Sequence, residues 1–216
     1  MMSWKRISAY LGIVSGTLFV IVTFIAMAIY PGGYSFFEYP FSALGVTEVD
    51  GTPSMLCYYL FLIACTGAAI CYVPLMIAMW TRFTETTTLK VVAGIGLIFG
   101  LASAPNLSAL SIFAGNLYPA EHGLTTMTFF LLITIGILIY TIAIFRNREY
   151  PNLYGLIGLI VVVICFLYVG ALFSWLSPGL TIIRDLFGTA LWQKVSVYAL
   201  VLWSAFQGYY LLKVFE

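Results

Sequence analysis

Six stretches of this chain, at about 8–30, 55–80, 89–115, 123–145, 153–176 and 190–212, are almost continuously apolar, and polar or Pro/Gly-rich residues mark them off from one another. A helix of about 20 residues crosses roughly 30 Å of hydrocarbon. Backbone buried in lipid must satisfy its own hydrogen bonds, so runs of this length read as helices. The expectation is an all-α polytopic membrane protein, one transmembrane domain over 1–216, built as a bundle of six transmembrane helices. With 62% hydrophobic and 8% charged residues, the chain has too little polarity to cover a soluble domain. Net charge is +1, and no basic block exceeds the pair Lys5-Arg6, which leaves no electrostatic footprint for nucleic acid.

Basic residues set the orientation. A cytoplasmic N-terminus places Lys5, Arg6, Arg82, Lys90, Arg146, Arg148 and Lys213 inside and only Arg184 and Lys194 outside, as the positive-inside rule requires. The expected location is the cell membrane, multi-pass, with both termini cytoplasmic. Lys5-Arg6 before an apolar run and Ala26-Met27-Ala28 after it have the outline of a cleaved signal. The run is too long for one, and the first segment is expected to stay as a helix.

Helices in lipid approach closely through small side chains. Gly12-x-x-x-Gly16 and Gly96-x-x-x-Gly100-x-x-x-Ala104 offer such faces, which are expected to bring helices one and three together; the same faces also suit contact between copies or with other membrane proteins. In helix three Pro105 removes a backbone donor, and Ser103, Asn106, Ser108 and Ser111 lie near enough to satisfy freed carbonyls, so a kink is expected. Asn106 then has two readings: an interhelical hydrogen bond, or a wall of a ligand cleft shared with Gln207. The sequon Asn106-Leu107-Ser108 lies at membrane depth, where glycans are not added. Cys57, Cys65, Cys71 and Cys165 lack metal-ligand spacing and read as buried thiols.

Polarity concentrates on the expected outer face. The first loop, about 31–54, carries Tyr34, Phe36, Phe37, Tyr39 and Phe41 around Glu38, residues that favour the headgroup level and suit a cover or lid over the helix ends. The second loop, 116–123, holds His122, the only histidine. A bis-histidine haem and a three-histidine zinc site therefore lie beyond one chain, and no cofactor is expected. His122 and Glu121 either mark the start of helix four, with Glu121 at the positive end of the macrodipole, or form a site with Glu38 for an anionic headgroup, a proton or a mixed-ligand metal. In the third loop Leu180, Ile183 and Phe187 recur at helical spacing, which predicts a short interfacial helix. Arg184 and Lys194 are expected to pair with Glu38, Glu121 or a lipid phosphate.

Tyr30-Pro31-Gly32-Gly33-Tyr34-Ser35, Ser42-Ala43-Leu44-Gly45, Tyr118-Pro119-Ala120-Glu121-His122-Gly123 and Leu191-Trp192-Gln193-Lys194, in that order, resemble the prokaryotic membrane family called domain of unknown function 998. The resemblance implies six helices, a histidine-glycine pair opening helix four and a Gln-Lys entry to helix six. The extra glycine in the first segment, and the lack of Asp or Cys before the histidine, depart from the family pattern. A fainter likeness runs to the DRAM and Sfk membrane proteins and implies a lipid-facing role. The candidate ligand-binding residues are His122, Arg184, Asn106 and Gln193.

Three functions follow. The first is a non-enzymatic lipid-associated modulator or accessory subunit, suited by the lack of charge near helix centres. The second is an interfacial enzyme on lipid headgroups using His122 with Glu121, Glu38 or Asp185. The third is a small transporter with a pocket at Pro105. Membrane lipids are the partners common to all three.

Overall fold

The computed structural model describes residues 3–174 and 181–215. Six long helices carry the fold: α1 (Trp4–Ala28), α2 (Met55–Trp80), α3 (Thr87–Ile112), α4 (Pro119–Arg146), α5 (Asn152–Ser174) and α7 (Ala190–Val214). Each is long and apolar enough to cross a membrane. A short α6 (Thr181–Phe187) precedes α7, and a 3-10 turn (Phe41–Gly45) and a small hairpin, β1 (Glu48–Val49) with β2 (Thr52–Pro53), fill the connection between α1 and α2. Residues 175 and 176 of the expected fifth span, and Ser177 to Leu180 of the third loop, lie outside the described residues.

Capping chemistry decides where the helices begin. The side chain of Ser3 accepts the Arg6 amide, so α1 starts four residues before the apolar run does, and Thr86 and Thr189 do the same for α3 and α7. Pro119 occupies the first turn of α4, where a missing N–H costs nothing. Glu121 and His122 therefore sit inside the first turn of α4 and not in the loop before it.

The long helices form a closed ring in chain order, α1 to α5, with α7 packing on both α5 and α1. Short connections make successive helices antiparallel. The expected pairing of α1 with α3 is not how the ring is built, because α2 stands between them. Their small residues serve other seams: Gly12 faces Leu75 of α2 and Gly16 faces Val201 of α7, while Gly96 and Gly100 receive Gly136 of α4. A methyl group on Gly136 would lie 3.1 Å from the Gly100 nitrogen and 3.2 Å from the Gly96 oxygen, so α3 and α4 meet backbone to backbone. Hydrogen bonds add to these seams, from Ser15 Oγ to the Ala68 carbonyl (3.0 Å) and from Ser204 Oγ to the Gly12 carbonyl (2.7 Å), and the Tyr140 hydroxyl ties α4 to the Met76 carbonyl of α2 (2.8 Å).

Both α2 and α3 run unbroken past an internal proline, Pro74 and Pro105. Asn106 makes neither of the contacts expected of it. Its Nδ2 donates to the Ala102 carbonyl of its own helix at 3.0 Å, one turn back, which is the cheapest way to satisfy an amide in an apolar surrounding. Gln207 is fully buried at the other end of the bundle, where its Oε1 accepts the Tyr150 hydroxyl at 2.6 Å.

Candidate functional site

One end of the ring is covered and is here termed the lid end. After α1, Gly32 and Gly33 take positive φ (74° and 89°) in a turn closed by the Gly33 amide on the Tyr30 carbonyl, and the chain folds back over the helix ends. Tyr30, Tyr34 and Tyr39 then cluster with ring centroids 5.5–5.9 Å apart. The Tyr34 hydroxyl donates to the carbonyls of Tyr39 (2.8 Å) and Pro40 (2.9 Å). Burial, with Tyr30 and Tyr198 nearby, pushes the Tyr34 phenol above its ordinary range, so it stays a donor. The 3-10 turn plugs the ring, with Phe41 and Leu44 buried and Gly45 so close to Phe61 of α2 that a Cβ would stand 2.6 Å from that ring. The hairpin turns at Asp50 (φ 47°) and Gly51 (φ 80°), and Asn116 fastens it by accepting the Thr47 amide at 3.1 Å and donating to the Thr47 hydroxyl at 3.0 Å.

Lys194, in the first turn but one of α7, enters this assembly from below. It is 1% exposed, and its Nζ donates to the Tyr39 carbonyl. The rings of Phe36, Tyr34 and Phe41 surround the ammonium at 5.0, 5.2 and 5.5 Å. Such faces attract a cation most strongly where water is excluded. The expected carboxylate partner is not there: Glu38 and Glu121 are exposed, and no ion pair to Lys194 occurs among the described residues. Gln193 is buried beside it, and its Oε1 faces the Ser42 amide at 3.5 Å. The first loop, the Ser-Ala-Leu-Gly turn and the Trp-Gln-Lys entry of α7 thus converge on one point.

His122 stands apart from this point. Its Nδ1 lies 2.8 Å from the Leu110 carbonyl and 2.9 Å from the Phe113 carbonyl. Carbonyls only accept, so Nδ1 carries the proton, and the imidazole closes the open end of α3. The described residues contain no cluster of three His, Cys, Asp or Glu side chains that could hold a metal. Arg184, on α6, pairs with its neighbour Asp185 at 3.1 Å, and α6 has no buried residue, leaving Ile182 and Leu186 exposed.

Below the 3-10 turn the ring is not filled. An apolar cleft with a cavity volume of about 90 Å³ lies along the bundle interior between Phe19, Tyr72, Phe129, Ile133, Val201 and Trp203. A second, smaller space of about 30 Å³ sits above it, beneath Phe41 and Ser42. The two share the walls Phe19, Leu107, Phe129 and Val197, and so stack end to end. Asn106 lines neither, although its neighbour Leu107 lines both. Of the candidate ligand-binding residues, Gln193 lines the upper of these two cavities, and His122, Arg184 and Asn106 line neither. Most of the cavity residues carry no signal in the sequence, being apolar side chains in apolar runs, whereas Gln193 and Lys194 stand out beside them as polar residues at the start of the last run.

Comparison of the chain with protein-family models, with curated proteins and with solved structures found no match.

Proposed function

We propose that this protein is a non-catalytic, lipid-associated component of the cell membrane that holds the hydrocarbon chain of a membrane lipid inside its helix ring and acts as a modulator or as an accessory subunit of a larger membrane assembly. The observation that carries this reading is the stacked cavity. It is narrow and its lower part is almost wholly apolar, which suits a slender alkyl chain. The polar groups at the lid end support the reading too, because Lys194, His122 and Tyr34 are each engaged in holding loops and helix ends together. The proposed orientation puts the lid end outside and the chain ends in the cytoplasm. It is supported by basic residues, of which Arg184 and Lys194 alone belong to the lid end. Membership of the domain of unknown function 998 family is part of the same proposal, supported by the convergence of three of its four segments around Lys194.

Val197 lies on both cavities, so Val197→Phe fills their junction with an apolar group. Native mass spectra of protein released gently from its membrane should show a retained lipid in the wild type and its loss in this variant. Identical lipid complements in the two proteins, or none in either, would remove the proposal.

A further inference from the structure

The upper cavity, apolar over most of its wall like the lower, carries one hydrogen-bonding group that the fold leaves unused. Beneath the 3-10 turn its walls include Ser42, Gln193 and Thr126, and none of its lining residues is charged. Thr126 is 6% exposed, and its Oγ1 has no hydrogen-bond partner among the described residues. Threonines in a membrane helix usually return this proton to the carbonyl one turn back, and Thr23, Thr125 and Thr134 do so at 2.8, 2.7 and 2.5 Å. The equivalent acceptor for Thr126 is the His122 carbonyl, which already receives the Thr125 hydroxyl at 3.2 Å besides serving the helix backbone. Thr126 is thereby left with a buried hydroxyl that nothing in the fold uses, in a chamber that opens onto an apolar cleft. An unsatisfied buried hydroxyl costs free energy that a ligand can recover.

We infer that the upper cavity is a head-group site for an uncharged single-chain lipid whose hydrogen-bonding end, a hydroxyl, ketone or amide, meets Thr126 beside Gln193 while its chain descends into the lower cleft. This rests on the proposal that the lower cleft holds hydrocarbon. An anionic head finds no free cation there, because the nearby ammonium of Lys194 is held by the Tyr39 carbonyl and three aromatic rings on the lid side.

The test uses the full-length protein in nanodiscs of zwitterionic phospholipid, with cetyl alcohol, hexadecane and palmitate competing against a spin-labelled alkyl chain. The wild type should prefer the alcohol to the alkane by roughly tenfold, the worth of one buried hydrogen bond, and to the palmitate anion by at least as much. Thr126→Val, which keeps the side chain's shape, should erase the alcohol's advantage and leave hexadecane binding unchanged, while Thr126→Ser should restore it. Equal affinity for alcohol and alkane in the wild type, an unchanged preference in Thr126→Val, or tighter binding of palmitate would overturn the head-group assignment alone. Failure of every probe, hexadecane included, to displace the label would overturn the cleft proposal as well.

Discussion

Lys194 and His122 show what a polar side chain costs, and does, at the edge of an apolar bundle. A buried ammonium without a carboxylate is tolerated only if dipoles and ring faces replace its water. The Tyr39 carbonyl and three rings from the lid supply this for Lys194, so the charge fastens the lid to α7. Lys194→Met keeps the stem and removes the cation. It should leave the helices intact and speed amide exchange across residues 34–45 by roughly tenfold or more, given about 2 kcal/mol for a desolvated cation–π contact; unchanged exchange there would show that the rings pack without it. For His122, truncation to Ala leaves the Leu110 and Phe113 carbonyls unpaired at the end of α3, with an expected loss of about 1–3 kcal/mol in unfolding experiments in detergent. Glu121→Ala, at an exposed position, should cost no more than about 1 kcal/mol. His122 and Lys194 both stand out in the sequence, one as the only histidine and the other as one of two cations expected outside. Their partners could not be read, because backbone carbonyls and ring faces brought from other loops leave no trace in the local pattern.

Among the elements, the glycines sort by what they touch. Gly136 meets the backbone of α3, and a Cβ on Gly208 would stand 2.6 Å from the Ala9 carbonyl oxygen of α1, whereas Gly12 meets only the tip of Leu75. Backbone cannot step aside and a leucine can. Gly136→Ala and Gly208→Ala should therefore each destabilise by about 1–3 kcal/mol, and Gly12→Ala by distinctly less, as measured by thermal unfolding of the purified protein. The helices themselves were legible to within about four residues, the second being identical to its apolar run. Apolar length against bilayer thickness is a strong constraint; helix starts were misjudged most, by four residues, where Ser3 and Pro119 extend a helix into polar sequence, and by one or two at α3 and α5. Which helices pair was not legible, because a small-residue face fits any other small face and only the ring order chooses. The Asp50-Gly51 turn carries a plain hairpin signal. Reading the loop as an aromatic cover passes over it.

For the molecule as a whole, six helices around one axis leave a space that large side chains must fill, and Gly16, Ala68 and Ser15 on the inner wall are small. The interior volume is a property of the ring and not of any one helix, which is why no local reading finds it. Filling it should raise the stability of the lipid-free protein. Val197→Phe is expected to increase the thermal midpoint after delipidation and to abolish the further rise that added cetyl alcohol gives the wild type, since a ligand stabilises only the state that binds it. The α1–α7 seam has a separate consequence for synthesis. The Ser204 hydroxyl reaches the Gly12 carbonyl across 192 positions of sequence, so α1 must enter the bilayer with one flank uncovered and wait there until nearly the whole chain has been translated. During that interval the nascent protein is an open arc of helices, with Ala9, the Gly12 carbonyl and Gly16 turned toward lipid or toward any chaperone that shields them.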